Sequence, residues 1–157
     1  KGRKPRSIRD HTPSQAFSDS PRDSLEEYVL ASLLRYPELW AEVGNLDVEH
    51  FLKTQNREIF RALVNKVPPE QLKETLDEAL HDQVDVLFGF RLEPVPHWER
   101  EQGLEECVNR LDRRRRMSEY ELLPSLVEAG LLSSAAASDR AEEIKTELSR
   151  IDSLRTI

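Results

Sequence analysis

The chain of 157 residues is long enough to bury a core of its own without metals or disulfides. Charged residues make up 34% and aromatics only 6%, with five glycines, a balance that favours helices over a turn-rich β-fold. A net charge of −7 counts against a general nucleic-acid binder, the lone Cys107 excludes an internal disulfide or a cysteine-based zinc site, and no apolar run approaches the roughly 20 residues that span a bilayer.

The single cysteine fits a reducing, cytoplasmic setting. Residues 1–9 carry Lys1, Arg3, Lys4, Arg6 and Arg9 with no acid among them and lead into a polar rather than an apolar stretch, so no signal peptide is read there. Pro5, Pro13 and Pro21 and the shortage of large apolar groups make residues 1–22 a disordered basic and polar linker, and the opening Lys1 suggests a piece of a longer protein.

Order is expected from Ser24, where Ser24 and Glu27 have the spacing of a capping box. Leu25, Tyr28, Val29 and Leu33 repeat at helical spacing, and Pro37 ends that helix or opens the next. Leu46, Val48, Phe51 and Leu52 form a connector that must pack on something. Thr54 is placed to cap a helix with Ile59, Phe60, Leu63 and Val64 inward. Pro68 and Pro69 break it; a helix from Glu70 then directs Leu72, Leu76, Ala79 and Leu80 inward, and Val84, Leu87 and Phe88 suggest one more. Pro94 and Pro96 mark the clearest boundary.

Beyond Pro96 the apolar stripe narrows to Trp98, Leu104, Cys107, Val108 and Leu111 on a heavily charged helix. Trp98 is read as a packing anchor and Cys107 as an inert core thiol. Pro124 should kink or interrupt this helix, Gly130 should stop it, and residues 131–138 suit a loop. Asp139 and Glu142 offer a second cap, followed by Ile144, Leu148, Ile151 and Leu154 close to a coiled-coil seam. The expected fold is all-α: a compact bundle of short helices over 24–95, then a long helix and a C-terminal helical hairpin over 97–157.

Phosphate-binding glycine loops and nucleophile elbows are absent, and His11, His50, His81 and His97 are scattered. His81, Asp82 and Asp85 share a helical turn but read better as a solvated helix end than as a metal site. No catalytic, cofactor or metal residue is therefore assigned. The Arg113, Arg114, Arg115 and Arg116 run is either a solvated face whose stems cover apolar surface or a contact for DNA, RNA or an acidic partner; four consecutive residues point around most of a helix and cannot all grip one phosphate row. A short hairpin with polar flanks buries little alone, so Leu131, Leu132, Ile144, Leu148, Ile151 and Leu154 are the candidate partner-binding residues.

The run Glu26-Glu27-Tyr28-Val29-Leu30-Ala31-Ser32-Leu33-Leu34-Arg35-Tyr36-Pro37-Glu38-Leu39 resembles the opening helix of the C-terminal helicase-binding domain of bacterial DNA primase (DnaG). Phe51 followed by Asn56-Arg57-Glu58-Ile59-Phe60 and Leu63 resembles that family's next motif, Leu104 through Arg114 its arginine-rich long helix, and Ile144 to Leu154 its closing helix. The same bundle is similar to the N-terminal domain of the DnaB helicase; Tyr36-Pro37-Glu38-Leu39 and the arginine-rich hairpin point to primase, while Pro124 and Ala135–Ala137 depart from an unbroken family helix. The resemblance implies a non-catalytic docking module, monomeric alone, that binds the hexameric replicative helicase DnaB and so couples RNA primer synthesis to DNA replication. The remaining primase domains, which hold the nucleotidyltransferase, would be joined in cis. The competing readings are the N-terminal interaction domain of a DnaB-type helicase and a nucleic-acid-binding adaptor with weak DNA or RNA contact.

Overall fold

A computed structural model describes residues 22–154. The expected linker over 1–22 and its basic residues therefore lie, apart from Arg22, outside the described residues. The fold is all-α, with no strand among the described residues. Among the described residues the chain divides into two compact units, 22–39 with Phe51–Pro94, and Trp40–His50 with 95–154.

In the first unit, α1 (Ser24–Arg35) turns Val29, Leu30, Ala31, Leu33 and Leu34 inward. Its cap is not the expected Ser24–Glu27 box. Asp23 accepts from the Glu26 N–H at 3.0 Å, Ser24 is already helical, and Glu27 is buried and turned to other partners. A 3₁₀ turn over Pro37–Glu42 follows, because proline supplies the φ of a first turn but no donor.

Helix α2 (Thr54–Val64) buries Ile59, Phe60, Ala62 and Leu63, and the Phe60 ring lies 5.0 Å from that of Phe51. Thr54 does not cap it, since the cap position is Lys53 and no local side chain bonds the first turn. Val64, expected inward, is exposed. The helix closes with Lys66 at φ 69°, the Lys66 N–H bonding Leu63 O and the Val67 N–H bonding Ala62 O. That is the paired bonding of a left-handed C-terminal cap, here built on a lysine rather than a glycine.

The helix expected from Glu70 is broken into pieces. A 3₁₀ turn at Pro69–Gln71 feeds the one-turn α3 (Leu72–Thr75), and the chain extends at Leu76 (φ −91°, ψ 158°). A second 3₁₀ turn at Glu78–Leu80 then leads into α4 (His81–Phe88). Asp77 explains the break: its side chain accepts from Ala79 N–H at 2.9 Å and starts a new turn. The break still leaves Leu72 and Leu80 buried, together with Val84 and Leu87.

In the second unit, α5 (His97–Glu128) and α6 (Ser134–Leu154) form an antiparallel hairpin around Leu111, Leu123, Ile144 and Ile151. Four sequence expectations change here. Trp98 is 63% exposed and is no packing anchor. Cys107, expected in the core, is half-buried, and burial raises its thiol pKa. Helix α5 runs through Pro124 without interruption, the proline ring lying on the exposed side four residues from the helix end. Most of the loop expected at 131–138 is helix: the Ser133 hydroxyl accepts from Ala136 N–H at 3.1 Å and starts α6, so Asp139 lies inside the helix instead of capping it. Gly130 does stop α5, at φ 77°.

Candidate partner-docking surface

Ion pairs cross the hairpin between α5 and α6. Arg140 on α6 grips both carboxylate oxygens of Glu119 on α5, at 2.6 and 2.8 Å, and also reaches Glu143 at 2.8 Å. The guanidinium holds the Glu119 carboxyl below the usual glutamate range, and the two acids raise the arginine further. Further down, Arg116 meets Glu147 at 3.1 Å and Arg113 meets Asp152 at 2.8 Å.

The segment Trp40–His50 adds a second contact to α5. His50 is buried; its Nδ1 accepts from the Asp47 N–H at 3.1 Å, which leaves the proton on Nε2 to donate to Asp112 at 3.0 Å. That bond, reinforced by the charges of Arg116 and Arg115, holds the Asp112 carboxyl below its usual range. Arg115 reaches the exposed Asp47 at 3.3 Å.

The arginine run is thus divided among carboxylates of its own unit: Arg113 to Asp152, Arg115 to Asp47, Arg116 to Glu147 and Asp112. Arg114 is half-buried like its neighbours. The four diverge around the helix, as their consecutive positions require, so these ion pairs weigh against one cationic stripe for a phosphate backbone.

The candidate partner-binding leucines and isoleucines separate into two sets. Ile144 and Ile151 are fully buried in the hairpin and cannot meet a partner in this conformation. Leu132 and Leu148 are half-buried, Leu154 is exposed, and Leu131 is 74% exposed. Leu122, absent from the expected set, is 57% exposed on α5. Its position one helical turn before Leu126 was the available sequence signal. Backbone bonds from Gly130 N–H to Val127 O and from Leu131 N–H to Leu126 O lock the turn that presents Leu131.

A buried polar cluster in the first unit was not anticipated. Glu26 is fully buried and accepts from Leu52 N–H, from Lys53 N–H at 3.4 Å and from Asn56 Nδ2 at 2.8 Å. The acceptor that Thr54 does not supply is thereby replaced by a carboxylate from α1, which takes the Leu52 and Lys53 N–H groups at the start of α2. Glu27 binds Arg22 at 2.7 Å and Gln83 at 3.1 Å, and Gln83 bonds Asn56 and Gln55 in turn. Every acid in the cluster has a donor, and its bonds tie α1, α2 and α4 together.

Among the described residues no group of His, Cys, Asp or Glu is arranged to hold a metal ion, and His81, Asp82 and Asp85 do not converge. Instead His81 Nε2 bonds Lys73 O at 2.7 Å and Asp85 pairs with Lys73. No described helix is long and apolar enough to cross a membrane.

Residues 20–71 match the family model of the DnaB-like helicase N terminal domain. The match runs from the start of α1 to the 3₁₀ turn at Pro69–Gln71, and so includes Glu26, Glu27 and Asn56 of the buried cluster. In this stretch the chain is similar to a helical domain of DnaB-like replication helicases. No curated protein and no solved structure matches the chain.

Proposed function

We propose that the chain is the helicase-binding domain of a bacterial DNA primase, which docks the primase on the hexameric replicative helicase DnaB. The observation that carries the helicase-related part of this reading is the match of residues 20–71 to the DnaB-like helicase N terminal domain, which supports the second reading below equally. It is supported by the resemblance of Tyr36-Pro37-Glu38-Leu39 and of the arginine-rich α5 to the primase family, and by a hairpin that leaves leucines in solvent at its tip. In this role the domain contributes no chemistry. It raises the local concentration of the polymerase domains at the newly opened single strand, an effect of tethering alone. Leu131, with Leu132, Leu148 and Leu154, would supply the hairpin's contacts; Ile144 and Ile151 support them from within.

The same match favours a second reading, in which the chain is the N-terminal interaction domain of a DnaB-type helicase. Calorimetric titration separates the two. The primase reading expects the chain to bind a replicative helicase hexamer, with severe weakening when residues 131–157 are removed. Binding to a primase but not to the hexamer would establish the second reading in its place.

A further inference from the structure

Three consecutive residues, His50, Phe51 and Leu52, are each anchored to something different. His50 closes the segment Trp40–His50, which belongs with α5 and buries Val43 and Leu46. Its ring is held at both nitrogens: Nε2 donates to Asp112 on α5 at 3.0 Å, and Nδ1 accepts from the Asp47 N–H at 3.1 Å. Arg115 of α5 reaches the carboxylate of the same Asp47 at 3.3 Å. Phe51 is fully buried in the first unit, its ring 5.0 Å from that of Phe60 and its carbonyl accepting from Arg57 Nε at 2.6 Å. Leu52 gives its N–H to Glu26. A connection absorbs displacement only through dihedrals that are free to turn, two per residue. Between the anchored His50 ring and the anchored Leu52 N–H stands one residue, and Phe51 is fixed at both ring and carbonyl. The joint has no slack.

We propose that the segment Trp40–His50 is a strap that carries displacement of α5 along the chain to the start of α2, where it loosens the hold of Glu26 on the Leu52 and Lys53 N–H groups. The effect travels through the peptide bonds of residues 50–52 and does not depend on what the chain docks on. The pull acts at His50. The exposed Asp47–Arg115 pair is solvated and holds weakly, whereas the buried His50 cannot lose Asp112 without leaving a buried donor unsatisfied. The receiving end is sensitive for a related reason. Glu26 is fully buried and serves several donors at once, the Asn56 amide among them at 2.8 Å, and such bonds weaken steeply as their angles open. Coupling of this kind is reciprocal, so weakening the Glu26 end must loosen the His50 end by the same factor. A ligand that shifts α5 is in this way registered at α2 with no ligand bound there.

Amide hydrogen exchange of the whole chain, followed residue by residue by NMR, tests the strap. Asp112→Ala removes the acceptor of His50 and should speed exchange at Leu52 and Lys53 at least about fivefold, with the Leu87 N–H of α4 unchanged. Asp112→Asn keeps an acceptor at the same place and should restore most of the protection. In the other direction, Glu26→Gln should speed exchange at Asp47 and His50 by a similar factor, and this arm decides by itself if Asp112→Ala fails to fold. Acceleration in Asp112→Ala confined to Asp47, His50 and α5, with Leu52 and Lys53 as protected as before, overturns the strap. So does a Glu26→Gln chain whose Asp47 and His50 amides keep their protection. Equal acceleration at every amide, Leu87 included, overturns it as well, because that reports opening of the whole fold and not a local relay.

Discussion

Glu26 on α1 and Asn56 on α2 are both fully buried and meet at 2.8 Å, and the same carboxylate receives the Leu52 and Lys53 N–H groups at the start of α2. A buried helix end needs partners for its first donors, and α2 takes them from a helix more than twenty residues earlier instead of from Thr54. Glu26→Ala should therefore destabilise by about 3 kcal/mol or more, because several buried donors lose their acceptor together. Glu26→Gln should cost about 1–3 kcal/mol, since an amide turns one donor toward a site built of donors. Urea unfolding measures both; a Glu26→Ala midpoint equal to the native one would mean that α2 is capped by something else.

Lys66 carries a backbone strain that nothing about a lysine side chain requires. Its φ of 69° is needed for the Lys66 to Leu63 and Val67 to Ala62 bonds that close α2, and an L-residue there costs about 1–2 kcal/mol relative to glycine. Lys66→Gly should stabilise by about 1 kcal/mol, less the extra entropy that glycine gives the unfolded chain. Lys66→Val should be clearly destabilising. Thermal melts ranking the three residues in any other order would count against the capping geometry.

How much of this was legible in advance follows from the range of the interactions involved. The all-α class, the end of α1 before Pro37 and the stop at Gly130 rest on periodicity and on residues with restricted or permissive φ, which act within a few positions. The caps of α1, α2 and α6 were misplaced because several nearby residues were chemically suitable; at α6 the local Ser133 took the place, and at the other two tertiary partners chose: Glu27 was drawn inward by Arg22 and Gln83, and Thr54 was displaced by Glu26. The His50–Asp112 pair joins residues 62 positions apart, which no local pattern encodes. The arginine run and the tip leucines were visible as residues, but their partners and exposures depend on how α5 and α6 pair, as Arg140 and Glu119 do across the hairpin.

That cross-hairpin contact predicts a response to acid. Glu119 has a folded pKa held below its ordinary value, first by the Arg140 hydrogen bond. A depressed carboxylate stabilises the fold above its unfolded pKa, and the contribution is lost as pH falls toward the folded value. Asp112, depressed chiefly by the bond from His50, acts with the same sign, while Arg140 keeps its charge throughout. Stability of the hairpin should thus decline as pH falls below the ordinary carboxylate values of 4.5 and 3.8 for the two groups, and Glu119→Gln should flatten part of that slope. Glu119 is too exposed for a large energy, so the informative quantity is the difference in slope between native and variant in denaturant titrations. Parallel slopes would show that the pair contributes nothing measurable.

Pro124 is the one position where a local rule is broken inside a continuous helix. Proline has no N–H to return to the carbonyl of Tyr120, and its ring crowds that carbonyl, at a cost of up to about 3 kcal/mol in a helix interior. Leu123 beside it is buried in the hairpin, so the backbone at this point is held by packing in spite of the proline. Pro124→Ala restores the missing bond on an exposed face and removes no buried group. It should raise stability by about 1 kcal/mol or more, the proline's stiffening of the unfolded chain offsetting part of the gain. The variant also separates two roles. If the proline bends α5 so that Leu122 and Leu131 share one face, Pro124→Ala should be more stable yet bind its partner more weakly. If the tip is set by Gly130 and Ser133 alone, stability should rise and binding should stay the same. A loss of stability would mean that the hairpin core around Leu123 depends on the bend that the proline imposes.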